Sequence, residues 1–139
     1  MTTDTQAREW GRRALAAGFP WAPGCLDGAF GVRVTRVSGP EDVPLWYEGT
    51  THTGQDYEGS FDPLWPDFRD PATLGVLVAW VRGLWGDPFM WSAPVVDGHT
   101  VRAWGVHRSP LRAFLFSDVH VAETEPEAWI AAAEAKGAQ

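Results

Sequence analysis

Apolar residues first recur at helical spacing between residues 4 and 18. Trp10, Ala14 and Ala17 fall at i, i+4 and i+7, which places them on one helix face. Thr3, Asp4 or Thr5 can cap that helix, Gly18 closes it, and Pro20 and Pro23 forbid its continuation. The period then changes to two. Phe30, Val32 and Val34 alternate with Gly31, Arg33 and Thr35, the pattern of a half-buried strand that Gly39-Pro40 ends. From 38 to 67 no period is sustained, and at most a short strand near 44–48 is expected within an irregular excursion.

The second helix has the clearest signals. Asp70 is the N-cap, Pro71 takes the first helical position, and Leu74, Leu77, Val78, Val81 and Trp85 form an apolar stripe. Gly86 and Pro88 end it. Gly75 and Gly83 each cost about 1 kcal/mol relative to alanine, so packing must hold this helix. Residues 89–96 and 99–107 read as a hairpin around Asp97-Gly98. Ser109-Pro110 turns into a strand over 111–121, with Leu111, Ala113, Leu115, Val119 and Val121 on one face. Thr124 and Glu127 form a capping box opening an alanine-rich helix to about Lys136.

The order α-β-(loop)-α-β-β-β-α predicts a single α+β domain over 1–139. It consists of an antiparallel sheet of three or more strands, with N-terminal, middle and C-terminal helices on one face and a long acidic loop at about 38–67. Trp10, Leu77, Trp85, Trp91, Leu115 and Trp129 are the expected core.

Composition narrows the function. In 139 residues, 45% are apolar, enough for a packed core, and the single Cys25 excludes an internal disulfide framework. No apolar run reaches the roughly 18 residues of a membrane span, and the polar N-terminus shows no signal peptide, so a cytoplasmic protein is expected. The nine tryptophans suit either a core of large aromatics or an interface.

Charge is uneven. Residues 41–70 hold Glu41, Asp42, Glu48, Asp56, Glu58, Asp62, Asp67 and Asp70 against Arg69, which accounts for the whole net charge of −7. This disfavours direct nucleic-acid and membrane binding. It leaves open a basic protein partner or a merely solubilising patch.

Recognisable catalytic chemistry is sparse. His99 and His107, on one strand, would lie about 26 Å apart at roughly 3.3 Å per residue and cannot share a metal. Asp118 and His120 could pair beside Arg112, with Ser109 or Ser117 as nucleophile, yet no nucleophile elbow accompanies them. Asp56, Glu58 and Asp62 lack the placement of a calcium loop, and no glycine pattern cradles a phosphate. Cys25 reads as a small buried filler. No catalytic residue, metal or cofactor is therefore expected.

Three pieces carry a resemblance: Trp21-Ala22-Pro23-Gly24, the run from Pro66-Asp67-Phe68-Arg69-Asp70 through Pro71-Ala72-Thr73-Leu74-Gly75, and the closing segment from Thr124 to Ala135. Together they resemble a group of small proteins of unknown function encoded by bacteriophages and prophages of GC-rich bacteria. The resemblance implies a phage setting and a shared helix-sheet-helix body, and it carries no catalytic residues over. This chain departs from the group by its acidic, aromatic excursion.

The expected function is that of a non-enzymatic phage or prophage accessory protein. It would bind a basic host protein or nucleic-acid-binding complex, inhibiting a host defence system in the manner of an anti-CRISPR protein or a nucleic-acid mimic. The expected contact residues are Trp46, Tyr47, Glu48, Asp56, Tyr57, Glu58, Phe61, Asp62 and Trp65. Two alternatives stay open: a phage assembly subunit forming a homodimer or larger homo-oligomer, and a small enzyme using Asp118 and His120.

Overall fold

The computed structural model describes residues 2–40, 43–108 and 119–137. They form three helices and two three-stranded antiparallel sheets, an α+β architecture, in two compact units, Met1–Val76 and Leu77–Gln139. The expectation of one sheet thus becomes two.

In the first unit, helix α1 spans Asp4–Ala16. Its N-cap is Thr3, whose hydroxyl accepts from the Gln6 N–H while the Gln6 side chain accepts from the Thr3 N–H. Ala7, Trp10, Gly11 and Ala14 are buried along one face. Gly11 is required there, because a Cβ would sit 2.6 Å from the Pro66 carbonyl oxygen.

Strands β1 (Val32–Ser38), β2 (Trp46–Thr51) and β3 (Asp56–Ser60) form the first sheet in that order. Val32 and Val34 are buried, as their alternation predicts, but Phe30 lies outside the strand and is exposed. The larger correction concerns 38–67, which holds a regular β-hairpin rather than an irregular excursion. Its inward positions explain why no apolar period shows. Gly49 pairs with Tyr57 and Gly59 pairs with Tyr47, so a glycine faces a tyrosine twice across the ladder. Gly49 is also filled from below, where an added Cβ would meet Val32 Cγ1 at 2.5 Å. An aromatic cluster packs beneath: Phe61 stacks on Trp21 at 5.0 Å, and Phe19 meets Trp21 and Phe68 edge-on.

Polar staples close this unit. The buried Asp27 carboxylate accepts from the N–H groups of Ala29, Phe30 and Trp65. Asp70 caps the next helix, accepting from the Thr73 N–H and hydroxyl, and takes a two-pronged ion pair from Arg33 on β1. The Thr73 hydroxyl in turn accepts from the Leu26 N–H. Helix α2 runs Pro71–Trp85, as its signals predict, and the division between the units falls inside it.

In the second unit, β4 (Trp91–Asp97), β5 (Thr100–His107) and β6 (Val119–Ala122) form the other sheet, with α3 (Glu125–Gly137) packed on its strands. The hairpin turn is Gly98–His99, one residue later than expected. Asp97 pairs with Thr100, and Gly98 supplies the positive φ of 65° that the turn needs. Thr124 caps α3, its hydroxyl accepting from the Glu127 N–H and donating to the Glu127 carboxylate. Leu77, Val81, Met90, Val106, Trp129 and Ile130 are buried.

Two expected core residues differ. Trp91 is 38% exposed, because its register opposite His107 turns both rings outward, where they stack at 4.2 Å. Trp85 is half-buried, donating its indole N–H to the Ala132 carbonyl, with Arg108 and Lys136 over its ring. Leu115, most of the strand expected over 111–121, and Glu41 and Asp42 lie outside the described residues.

Candidate functional site

The β2–β3 hairpin fixes which groups the first sheet presents. The Thr51 N–H donates to the Gln55 carbonyl, making 51/55 a hydrogen-bonded pair. Antiparallel pairs alternate, so 49/57 and 47/59 are hydrogen-bonded, whereas 50/56, 48/58 and 46/60 are not. Side chains alternate with them. Trp46, Glu48 and Thr50 on β2 share the outer face with Asp56, Glu58 and Ser60 on β3.

Glu48 and Glu58 therefore stand directly opposite in the closer kind of pair, where like charges repel. The Thr50 hydroxyl donates to the Asp56 carboxylate at 3.0 Å, and the Thr35 hydroxyl to the Glu48 carbonyl at 3.2 Å. Between them lies an open depression of about 510 Å³, lined by Thr35, Glu48, Thr50, Asp56 and Glu58. Trp46, two residues before Glu48 on the same face, is 47% exposed. The arrangement offers three carboxylates beside an indole, with the exposed Arg36 on β1 opposite Glu48.

The nine expected contact residues divide. Trp46, Glu48, Asp56 and Glu58 come together on this face, Tyr57 points from the opposite side of the same strand and is partly exposed, and Asp62 is exposed in the turn after β3. Tyr47 and Trp65, at 5% and 7% exposure, belong to the core, and Phe61 is half-buried between Trp21 and Tyr47. Burial pushes the Tyr47 phenol above its ordinary pKa, which keeps it neutral.

A second concavity in this unit went unread in the sequence. Arg8, Arg12, Arg13, Asp4 and Glu9 of α1 line a groove of about 890 Å³ with Trp65 opposite. Its signal was the i, i+4 spacing of Arg8 and Arg12. Asp4 there is drawn to Arg69, which also binds Asp67. The Arg69 guanidinium, held by Asp67 and Asp4, is raised still further above its already high pKa.

His120 lies against Trp85 at 5.5 Å between ring centres, while Asp118, Arg112, Ser109 and Ser117 fall outside the described residues. Among the described residues no group of three His, Cys, Asp or Glu side chains could hold a metal ion. The Cys25 thiol is buried, and burial raises its pKa, which suppresses the nucleophilic thiolate. Burial also raises the Asp27 carboxyl against three backbone N–H groups that favour its anion, so this residue reads as a loop staple. No helix among the described residues is long and apolar enough to cross a membrane.

No family model, curated protein or solved structure matches the chain.

Proposed function

We propose that the chain is a non-enzymatic protein-binding factor that recognises a basic partner through the outer face of its first sheet. The observation that carries this reading is the grouping of Glu48, Asp56 and Glu58 beside the exposed Trp46. Carboxylates steer a basic partner and raise the on-rate, while a desolvated indole supplies affinity. In the phage setting that the sequence resemblance implies, the partner is a basic host protein or nucleic-acid-binding complex, and occupying its cationic surface inhibits a host defence.

The test has two stages. Affinity capture from a bacterial host lysate with mass spectrometry names a partner, and the dissociation constant of that purified partner is then measured. Changing Glu48, Asp56 and Glu58 together to lysine should weaken binding by at least about a hundredfold, since each close interfacial charge pair couples by about 1.5–7 kcal/mol and a hundredfold is about 2.7 kcal/mol. Circular dichroism should show the fold retained, because exposed charges contribute little to stability. Unchanged affinity in the triple variant would remove the site from this face.

A second reading, homo-oligomeric assembly, draws on the other sheet. Trp91, Val95 and Val121 are exposed together on its face away from α3. Sedimentation velocity would show a concentration-dependent dimer abolished by Val95→Lys with Val121→Lys.

A further inference from the structure

β3 is an edge strand. Its Tyr57 and Gly59 backbones bond to β2, so the N–H and C=O groups of Asp56, Glu58 and Ser60 point away from the sheet. Among the described residues no backbone group meets them. The opposite edge differs: β1 is covered by 24–27, where the Gly24 N–H donates to the Val34 carbonyl, the Val34 N–H to the Cys25 carbonyl and the Asp27 N–H to the Val32 carbonyl. One edge of this sheet is thus covered by its own chain over Val32–Val34, and the other stands open for the length of β3.

We infer that β3 takes up an extended segment of the partner as a fourth strand, and that this segment alternates basic and apolar residues. The inference rests on the reading of the outer face as the binding surface. Strand addition supplies main-chain hydrogen bonds for affinity and alternating side-chain positions for selectivity. A residue opposite Glu58 lies on the outer face, within reach of its carboxylate and diagonally of Asp56, so it must be lysine or arginine. Its neighbours lie on the other face beside the partly exposed Tyr57 ring, which favours apolar side chains. The same acids exclude the commonest wrong occupant, since a second copy of β3 would bring Asp56 and Glu58 against their own kind. The edge is guarded against self-pairing and open to a strand of opposite charge.

The experiment uses the full chain and three fluorescein-labelled seven-residue peptides read by fluorescence anisotropy. One alternates lysine and valine; the second has the same composition in blocks; the third is the alternating peptide with every other backbone nitrogen methylated. The alternating peptide should bind at least about tenfold more tightly than the others, the scale of two lost hydrogen bonds. In ¹⁵N spectra its addition should shift the amides of Asp56, Glu58 and Ser60 and slow their exchange. Glu58→Pro removes an outward donor without touching the β2 ladder and should abolish the preference, whereas Glu58→Gln should preserve it at reduced affinity. Equal binding of the methylated peptide would overturn strand addition while leaving the acidic face as a charge-reading surface. Failure of all three peptides to bind would overturn both.

Discussion

The two sheets share a plan and differ in what they show to solvent. Each is an antiparallel hairpin with a third strand, and each has one face turned to a core. In the first, the outward positions are Glu48, Thr50, Asp56 and Glu58, and the inner face is held by Val32, Val34 and Tyr47 with glycines between. In the second, outward positions are Trp91, Val95 and Val121, and the inner face lies under α3. Strand order therefore does not decide what a sheet offers. The side chains at one parity of each strand do, and here one sheet offers charge and the other apolar surface.

The largest effect should separate the faces of the second sheet's unit. Trp129, on α3, is 1% exposed, and Trp129→Ala should cost about 3–5 kcal/mol in urea denaturation. Among the described residues its indole N–H meets no hydrogen-bond partner, so the loss is one of packing and of the Arg82 guanidinium over the ring. Trp91→Ala removes an exposed ring stacked on His107 and should cost under about 1 kcal/mol. Similar losses from both would mean that the outer face is a second core.

The first unit relies more on polar staples, and Asp70 tests this. Asp70→Ala removes the cap of α2 and the Arg33 pair, for an expected loss of about 1–2 kcal/mol. The Arg33 guanidinium holds the Asp70 carboxyl below the usual carboxylate range. Its contribution is therefore present above the unfolded value of about 3.9 and lost as pH falls through the folded value. Asp27 has the opposite sign: burial raises its carboxyl, so its contribution is fullest in acid and declines as pH rises through the raised value. Unfolding free energies at pH 3 and pH 7 should show a flatter acid limb for Asp70→Asn than for the wild type. An identical limb would place the acid sensitivity elsewhere.

Features set by local chemistry were legible in the sequence. Asp70-Pro71 and Gly86 bound α2, and Thr124 with Glu127 opens α3, because caps act within a few residues. Features that depend on pairing were hidden. The Tyr47–Gly59 and Tyr57–Gly49 pairs place bulk and space on different strands, so neither strand alone shows an apolar period. Trp91 misled for a related reason: β4 is apolar at both parities, and only its register with β5 selects the buried one. Of the site, the acids and Trp46 were legible as a segment. Their common face was not, nor was the withdrawal of Tyr47 and Trp65 into the core, since both depend on the hairpin.

The smallest effect bears on the first sheet alone. Glu48 and Glu58 oppose each other in a non-hydrogen-bonded pair, a position where like charges disfavour the sheet. Glu58→Gln keeps size and strand fit and removes one charge, so at low salt it should raise stability by about 0.2–1 kcal/mol. The gain should fade in 0.5 M salt, where screening shortens to a few ångströms. It should also vanish when Glu48→Gln is already present, because the pair and not the single residue carries the cost. The double-mutant cycle read by urea denaturation thus isolates the Glu48–Glu58 repulsion from the attraction of Glu48 to Arg36, its partner on β1, and a further lysine or arginine seated between the two carboxylates would turn that repulsion into attraction. A cycle with no coupling would mean that solvent already separates the two charges, and the outer face would then be polar without being poised for a basic partner.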